Sequence, residues 1–94
     1  MRHAEYKVPG GKLVVVDLQI QEGRFHHVQL SGDFFLEPPE VLEQINQALE
    51  GVPITLDHDR LTAHINQAIP ASAELFGIHA AAIATVLQRT LTHD

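Results

Sequence analysis

The chain has no cysteine and no tryptophan, one methionine, and only six lysines and arginines among 94 residues. Without cysteine there is no disulfide, no thiolate nucleophile, and no cysteine-ligated zinc or iron–sulfur centre. The six basic residues face twelve acidic ones, for a formal charge of −6, and they are scattered along the sequence. A phosphate backbone or an anionic membrane surface calls for a clustered basic face, so neither nucleic acid nor a membrane is expected as a partner. No apolar run approaches the roughly 18 residues of a membrane span, and no charged segment leads into a hydrophobic one at the start. These absences point to a soluble, cytoplasmic protein.

Hydrophobic residues make up 45% of the chain and charged ones 19%, a globular composition. The length suits one domain, residues 1–94, with a single modest core. The first third reads as strands. Ala4 to Val8 is a short segment, Pro9-Gly10-Gly11 is turn punctuation, and Lys12 to Ile20 alternates and is β-branched. Val14, Val16, Leu18 and Ile20 share one face, assigned to the core; Leu13, Val15, Asp17 and Gln19 share the other. Gln21-Glu22-Gly23 connects to a third strand, Arg24 to Ser31, on which regular alternation sends His26, Val28 and Leu30 one way and Phe25, His27 and Gln29 the other.

Helices follow. Pro38-Pro39 with Glu40 and Glu43 suits a helix start, the stripe Val41, Leu42, Ile45, Ala48 and Leu49 suits its buried side, and Gly51 suits its stop. Asp57 is placed to cap a second helix carrying Leu61, Ile65, Ala68 and Ile69, ended by Pro70. Ala71 to Phe76 is expected as a turn or short helical piece, and His79 to Leu91 as a third helix with Ile83, Val86 and Leu87 inward. Strands segregated before helices define an α+β fold, a three-stranded antiparallel meander followed by three helices packed on one face. On the other face Leu13, Val15 and Phe25 would then form an apolar patch suited to protein contact, unless sheet twist or a terminal segment covers them.

No catalytic constellation can be named. Pro9-Gly10-Gly11-Lys12 has the glycines and lysine of an anion-binding loop, but Leu13 follows where a phosphate loop has Ser or Thr, and a strand follows where it has a helix. Two readings remain for it: a plain strand-connecting turn, or a turn presenting two amides and an ammonium to an anion held mainly by another protein. In Ser31-Gly32-Asp33-Phe34-Phe35, Asp33 reads as an acceptor of turn N–H bonds rather than an acid or base, because no second titratable group is placed beside it. One phenylalanine ring can enter the core there, leaving the other covered or exposed. Seven histidines raise the question of a metal, yet no H-x-x-x-H spacing occurs, and His26 and His27 point to opposite faces of a regular strand. No metal site is expected.

The order Tyr6-Lys7-Val8-Pro9-Gly10-Gly11-Lys12-Leu13, then Val14-Val15-Val16-Asp17 with a glycine hairpin, then Ser31-Gly32-Asp33-Phe34-Phe35-Leu36-Glu37-Pro38 resembles the C-terminal accessory domain of lipoate–protein ligases. Glu50-Gly51-Val52 and Leu75-Phe76-Gly77-Ile78 are similar to that family's helical half. The alanine-rich third helix and the many histidines depart from it. The resemblance implies an accessory subunit or domain, not catalytic alone, working with a separate catalytic ligase subunit that holds lipoate, ATP and Mg. It implies a part in forming the lipoyl-adenylate, with lipoyl-acceptor proteins as indirect partners. On this reading Gly10, Gly11 and Lys12 lie at the edge of the partner's active site, with Lys12 leaning toward the bound nucleotide or adenylate. Leu13, Val15, Phe25, Asp33 and Phe34 belong to the interface. The rival reading is a stand-alone interaction module whose patch of Leu13, Val15 and Phe25 drives weak self-association or binding of an unrelated partner.

Overall fold

The computed structural model describes residues 1–92. Strands β1 (Arg2–Lys7), β2 (Leu13–Gln21) and β3 (Arg24–Gly32) form an antiparallel sheet in the order β1-β2-β3. After them come β4 (Phe35–Glu37), helix α1 (Glu40–Leu49), α2 (His58–Ala68), β5 (Glu74–Phe76) and α3 (Ala80–Arg89). The α+β arrangement expected from the sequence is therefore present, and it carries one further piece: β4 and β5 pair antiparallel as a separate two-stranded ribbon.

The alternation of β2 buries Val14, Val16 and Leu18 completely, while Leu13, Val15 and Asp17 on the other face are half-buried. Above the buried face lie Val41, Ile45 and Leu49 of α1 and Ile83, Val86 and Leu87 of α3. Each such side chain contributes about 1.5–3 kcal/mol when removed from water. Buried Ala80, Ala82 and Ala84 give α3 small contact residues. Only α1 and α3 rest on the sheet; α2 packs across these two helices rather than on a strand. Its Leu61 and Ile65 face them, and two histidines pin it. His64 Nε2 lies 2.7 Å from the Ala48 carbonyl of α1, and His58 Nε2 lies 3.1 Å from the Ala81 carbonyl of α3. A carbonyl oxygen only accepts, so both rings carry their proton on Nε2. These histidines are structural latches.

The helix starts follow ordinary capping chemistry. Asp57 accepts from the Arg60 N–H at 2.8 Å, as its position suggests. His79, expected inside the third helix, is instead its cap, with Nδ1 accepting from the Ala82 N–H at 3.1 Å.

Two expectations are corrected. Phe25 is not on the outer face; it is 1% exposed and sits in the core. The register between β2 and β3 runs Asp17↔Gln29 and then Gln19↔His26, so His27 and Val28 together oppose Leu18. That extra residue is a β-bulge, with His27 in the left-handed region at φ 54. A bulge inverts the facing of everything beyond it, so Phe25 and Val28 both point inward. The segment Ala71 to Phe76, expected as a turn or helical piece, supplies β5. Its partner β4 lies far back along the chain, and three-residue strands carry no readable period.

Candidate functional site

The turn between β1 and β2, the end of β3, the ribbon and the segment before α3 meet at one end of the sheet. Lys12 and Leu13 hold them together through their backbone. The Lys12 N–H donates to the Gly77 carbonyl at 3.0 Å, and the Leu13 carbonyl accepts from the Asp33 N–H at 3.1 Å. The chain packs so closely that two glycines are obligatory. Gly32 has φ 144, and a Cβ there would fall on the Leu13 carbonyl oxygen; Gly77 has φ 85, and a Cβ there would fall on the Lys12 side chain. The separate motifs of the sequence, the glycine-lysine turn, Ser31-Gly32-Asp33 and Leu75-Phe76-Gly77, thus form one contiguous surface.

Gly10 is at the exposed tip of the turn, with φ 71 and open space around it. The Gly11 N–H donates to the Val8 carbonyl at 2.8 Å, and the Gly11 carbonyl accepts from Lys7 Nζ at 2.7 Å. Of the two glycine amides expected to face an anion, that of Gly11 is spent inside the chain, as is the Lys12 amide, while no such bond engages the Gly10 N–H among the described residues. What the turn offers is the Lys12 ammonium. Lys12 is exposed, its stem rests on Gly77, and among the described residues no carboxylate or carbonyl holds its Nζ.

Asp33 is exposed beside the turn. Phe34 is the ring that enters the core, at 9% exposure, and Phe35 is the one left outside, at 56%. Phe35 stacks on Phe76, itself 41% exposed, with ring centroids 4.7 Å apart and planes 19° from parallel. Beside the pair, a shallow cleft of about 220 Å³ is lined by Phe34, Phe35, Leu36, Glu37, Pro39 and Leu42. The reading from sequence missed the aromatic pair. Its only signal was the doublet Phe34-Phe35, of which one ring must face out, and Phe76 just before a glycine.

Leu13 and Val15 do share the outer face of the sheet, flanked by Glu5, Lys7 and Ser31. On the same face His3 Nδ1 lies 2.7 Å from Asp17 Oδ1 and its Nε2 lies 3.0 Å from Glu5 Oε2. The hydrogen bond to Glu5, followed by that to Asp17, raises the His3 pKa above its ordinary value of 6.5. Among the described residues no group of three histidine or carboxylate side chains is placed to hold a metal ion, and no helix is long and apolar enough to cross a membrane.

Fold and site together define a class: a small α+β domain that displays a lysine-tipped turn and an exposed aromatic ribbon at one end of its sheet. The model of the bacterial lipoate protein ligase C-terminus matches residues 2–87, and the chain belongs to that family. It is part of a lipoate ligase system, with an accessory role in lipoylation. A solved structure from Thermoplasma acidophilum superposes on it with a TM-score of 0.65 and 22% identity, over 92% of this chain and 90% of that one. That structure belongs to an archaeal lipoylation system, a bi-partite lipoate protein ligase and its E2 lipoyl domain. At this identity the likeness is one of fold. A search of curated proteins finds no match.

Proposed function

We propose that this chain supports lipoate adenylation on a separate catalytic ligase chain in the cytoplasm and does not catalyse alone. In this division the catalytic chain holds lipoate, ATP and Mg, and the lipoyl-acceptor protein meets the complex afterwards. The observation that carries the proposal is the state of the glycine-lysine turn. Its Gly11 and Lys12 amides are consumed internally, which argues against a self-sufficient nucleotide cradle; its lysine is exposed, with its stem on Gly77. A chain built this way contributes one positive charge from a backbone held in place, and it leaves the binding of a whole nucleotide to another surface.

Adenylation joins the lipoate carboxylate to the α-phosphate of ATP and expels pyrophosphate. Both reacting groups are anionic, so a cation at the edge of the site lowers their repulsion, and a domain that closes over them excludes water. Lys12 is assigned the first task, leaning toward the nucleotide or adenylate. Gly10 and Gly11 keep the turn thin enough to approach. Leu13, Val15, Asp33 and the neighbourhood of Phe34 belong to the contact with the catalytic chain, whereas buried Phe25 serves that contact only by supporting the sheet beneath it.

The experiment is lipoate-dependent ATP–pyrophosphate exchange by the catalytic chain, with and without this one. Exchange should rise on mixing, by about one to two orders of magnitude if the added domain orders the site. Exchange that is the same with and without the chain would refute the accessory role, and turnover by the purified chain alone would refute its dependence on a partner.

A further inference from the structure

The ribbon of β4 and β5 has two unlike faces. Leu36 and Leu75 pair across it and turn inward, with Leu36 4% exposed. The other face carries Phe35 opposite Phe76 and Glu37 opposite Glu74, and all four are exposed. The aromatic pairing is favourable in itself but leaves ring surface in water, and the glutamate pairing is unfavourable. Two phenylalanine rings stacked in water leave their outer surfaces wet, and like charges directly opposite one another repel. Within the described residues no salt bridge involves Glu37 or Glu74. The same face therefore combines an aromatic platform with a pair of carboxylates on adjoining rungs.

This combination has a chemical complement. A guanidinium is planar, weakly hydrated and permanently charged; it stacks on an aromatic face and forks its N–H donors onto carboxylates. An arginine reaching the ribbon would stack on the outer face of one ring, the inner faces being taken up by the Phe35–Phe76 stack, and would bring its charge to the two glutamates. We infer that the outer face of the β4–β5 ribbon, Phe35, Glu37, Glu74 and Phe76, is a docking site for an arginine-bearing segment of the catalytic ligase chain. The inference rests on the accessory role proposed above, which supplies the partner; the chemistry of the ribbon supplies the kind of residue. Placement favours it, since β5 runs directly into Gly77, the glycine on which Lys12 is mounted.

The test is the dissociation constant of the full chain for the catalytic ligase chain, measured by calorimetry at low and high salt, for wild type, Phe35→Ala and the double variant Glu37→Lys, Glu74→Lys. Exposed Phe35 and the exposed glutamates can be replaced with little effect on folding, and thermal melts confirm that each variant is folded. Gln67→Ala, on the exposed side of α2, is the control. Loss of a central aromatic anchor should weaken binding by ~30-fold or more. Charge reversal should weaken it at least as much and flatten its salt dependence. If wild type binds and both variants bind equally well with the same salt dependence, the docking site is refuted and the accessory role stands. If wild type does not bind the catalytic chain at all, the accessory role itself fails. A wild-type dimer in sedimentation that Phe35→Ala dissolves, with binding of the catalytic chain unaltered, would assign the face to a second copy and overturn the inference.

Discussion

The two ends of the sheet handle their polar groups in opposite ways. At the bulged end of β3 the edge is sealed. Glu50, just past α1, accepts from the His27 and Val28 N–H groups at 2.9 and 2.7 Å. Asn46 accepts from the Leu30 N–H at 3.1 Å, and the segment after α1 pairs with the strand through the Phe25 N–H to Val52 carbonyl and the Gly51 N–H to Phe25 carbonyl bonds. An open strand edge invites pairing with another chain, and here it is closed by side chains and a loop. At the other end Lys12 and Leu13 are tied through their backbone, but the side chains of Lys12, Phe35 and Phe76 are exposed. One end is closed; the other is open.

That contrast can be broken by substitution, beginning with the largest effect. Phe25→Ala removes a buried ring at the sealed end and should cost about 3–5 kcal/mol in urea unfolding. An outer-face Phe25 would cost little, so a loss under about 1 kcal/mol would put the ring back outside. Gly32→Ala forces a Cβ onto the Leu13 carbonyl at a backbone angle that alanine avoids, and should cost about 2–3 kcal/mol. Were the motif end loosely assembled, the chain would absorb that Cβ without penalty. Glu50→Ala frees the two bulge amides and should cost about 1–2 kcal/mol by the same measurement, with no change in activation of a catalytic ligase chain. Lys12→Ala should do the reverse, leaving unfolding within about 0.5 kcal/mol of wild type while pyrophosphate exchange falls by about tenfold or more. Equal activation by mutant and wild type would remove Lys12 from the mechanism.

The smallest effect concerns pH. The folded pKa of His3 is raised, by Glu5 first and Asp17 second, so the folded state binds this proton more tightly than the unfolded chain does. Its contribution to stability is therefore fully present below the ordinary value of 6.5 and is lost as the pH rises through the raised folded value. The site is exposed and screened, so the effect is slight. A His3→Gln variant should show a shallower fall in melting temperature than wild type across that interval, and parallel curves would dissociate the histidine from the trend.

Much of this molecule was legible from residue order, for reasons that can be named. The alternation of Val14, Val16 and Leu18, the stripe of Val41, Ile45 and Leu49, and Asp57 as a cap are local patterns, and local physics reads them. The bulge was not legible, because an extra residue leaves the alternation looking whole while reversing the facing beyond it, so regular alternation puts Phe25 on the wrong face. The ribbon was not legible because its strands are too short to show a period and meet only after two helices intervene. In the site the glycine-lysine turn announced itself. The loss of its amides to Val8 and Gly77 did not, since a carbonyl distant in sequence leaves no mark on the turn.

The bonding of Lys12 and Leu13 has a mechanical consequence. Because one dipeptide is tethered to Gly77 through its nitrogen and to Asp33 through its oxygen, the turn cannot shift without dragging both neighbours, and neither neighbour can shift without re-aiming the turn. The backbone that carries the ammonium is thus tied to the segments on both sides of the aromatic ribbon.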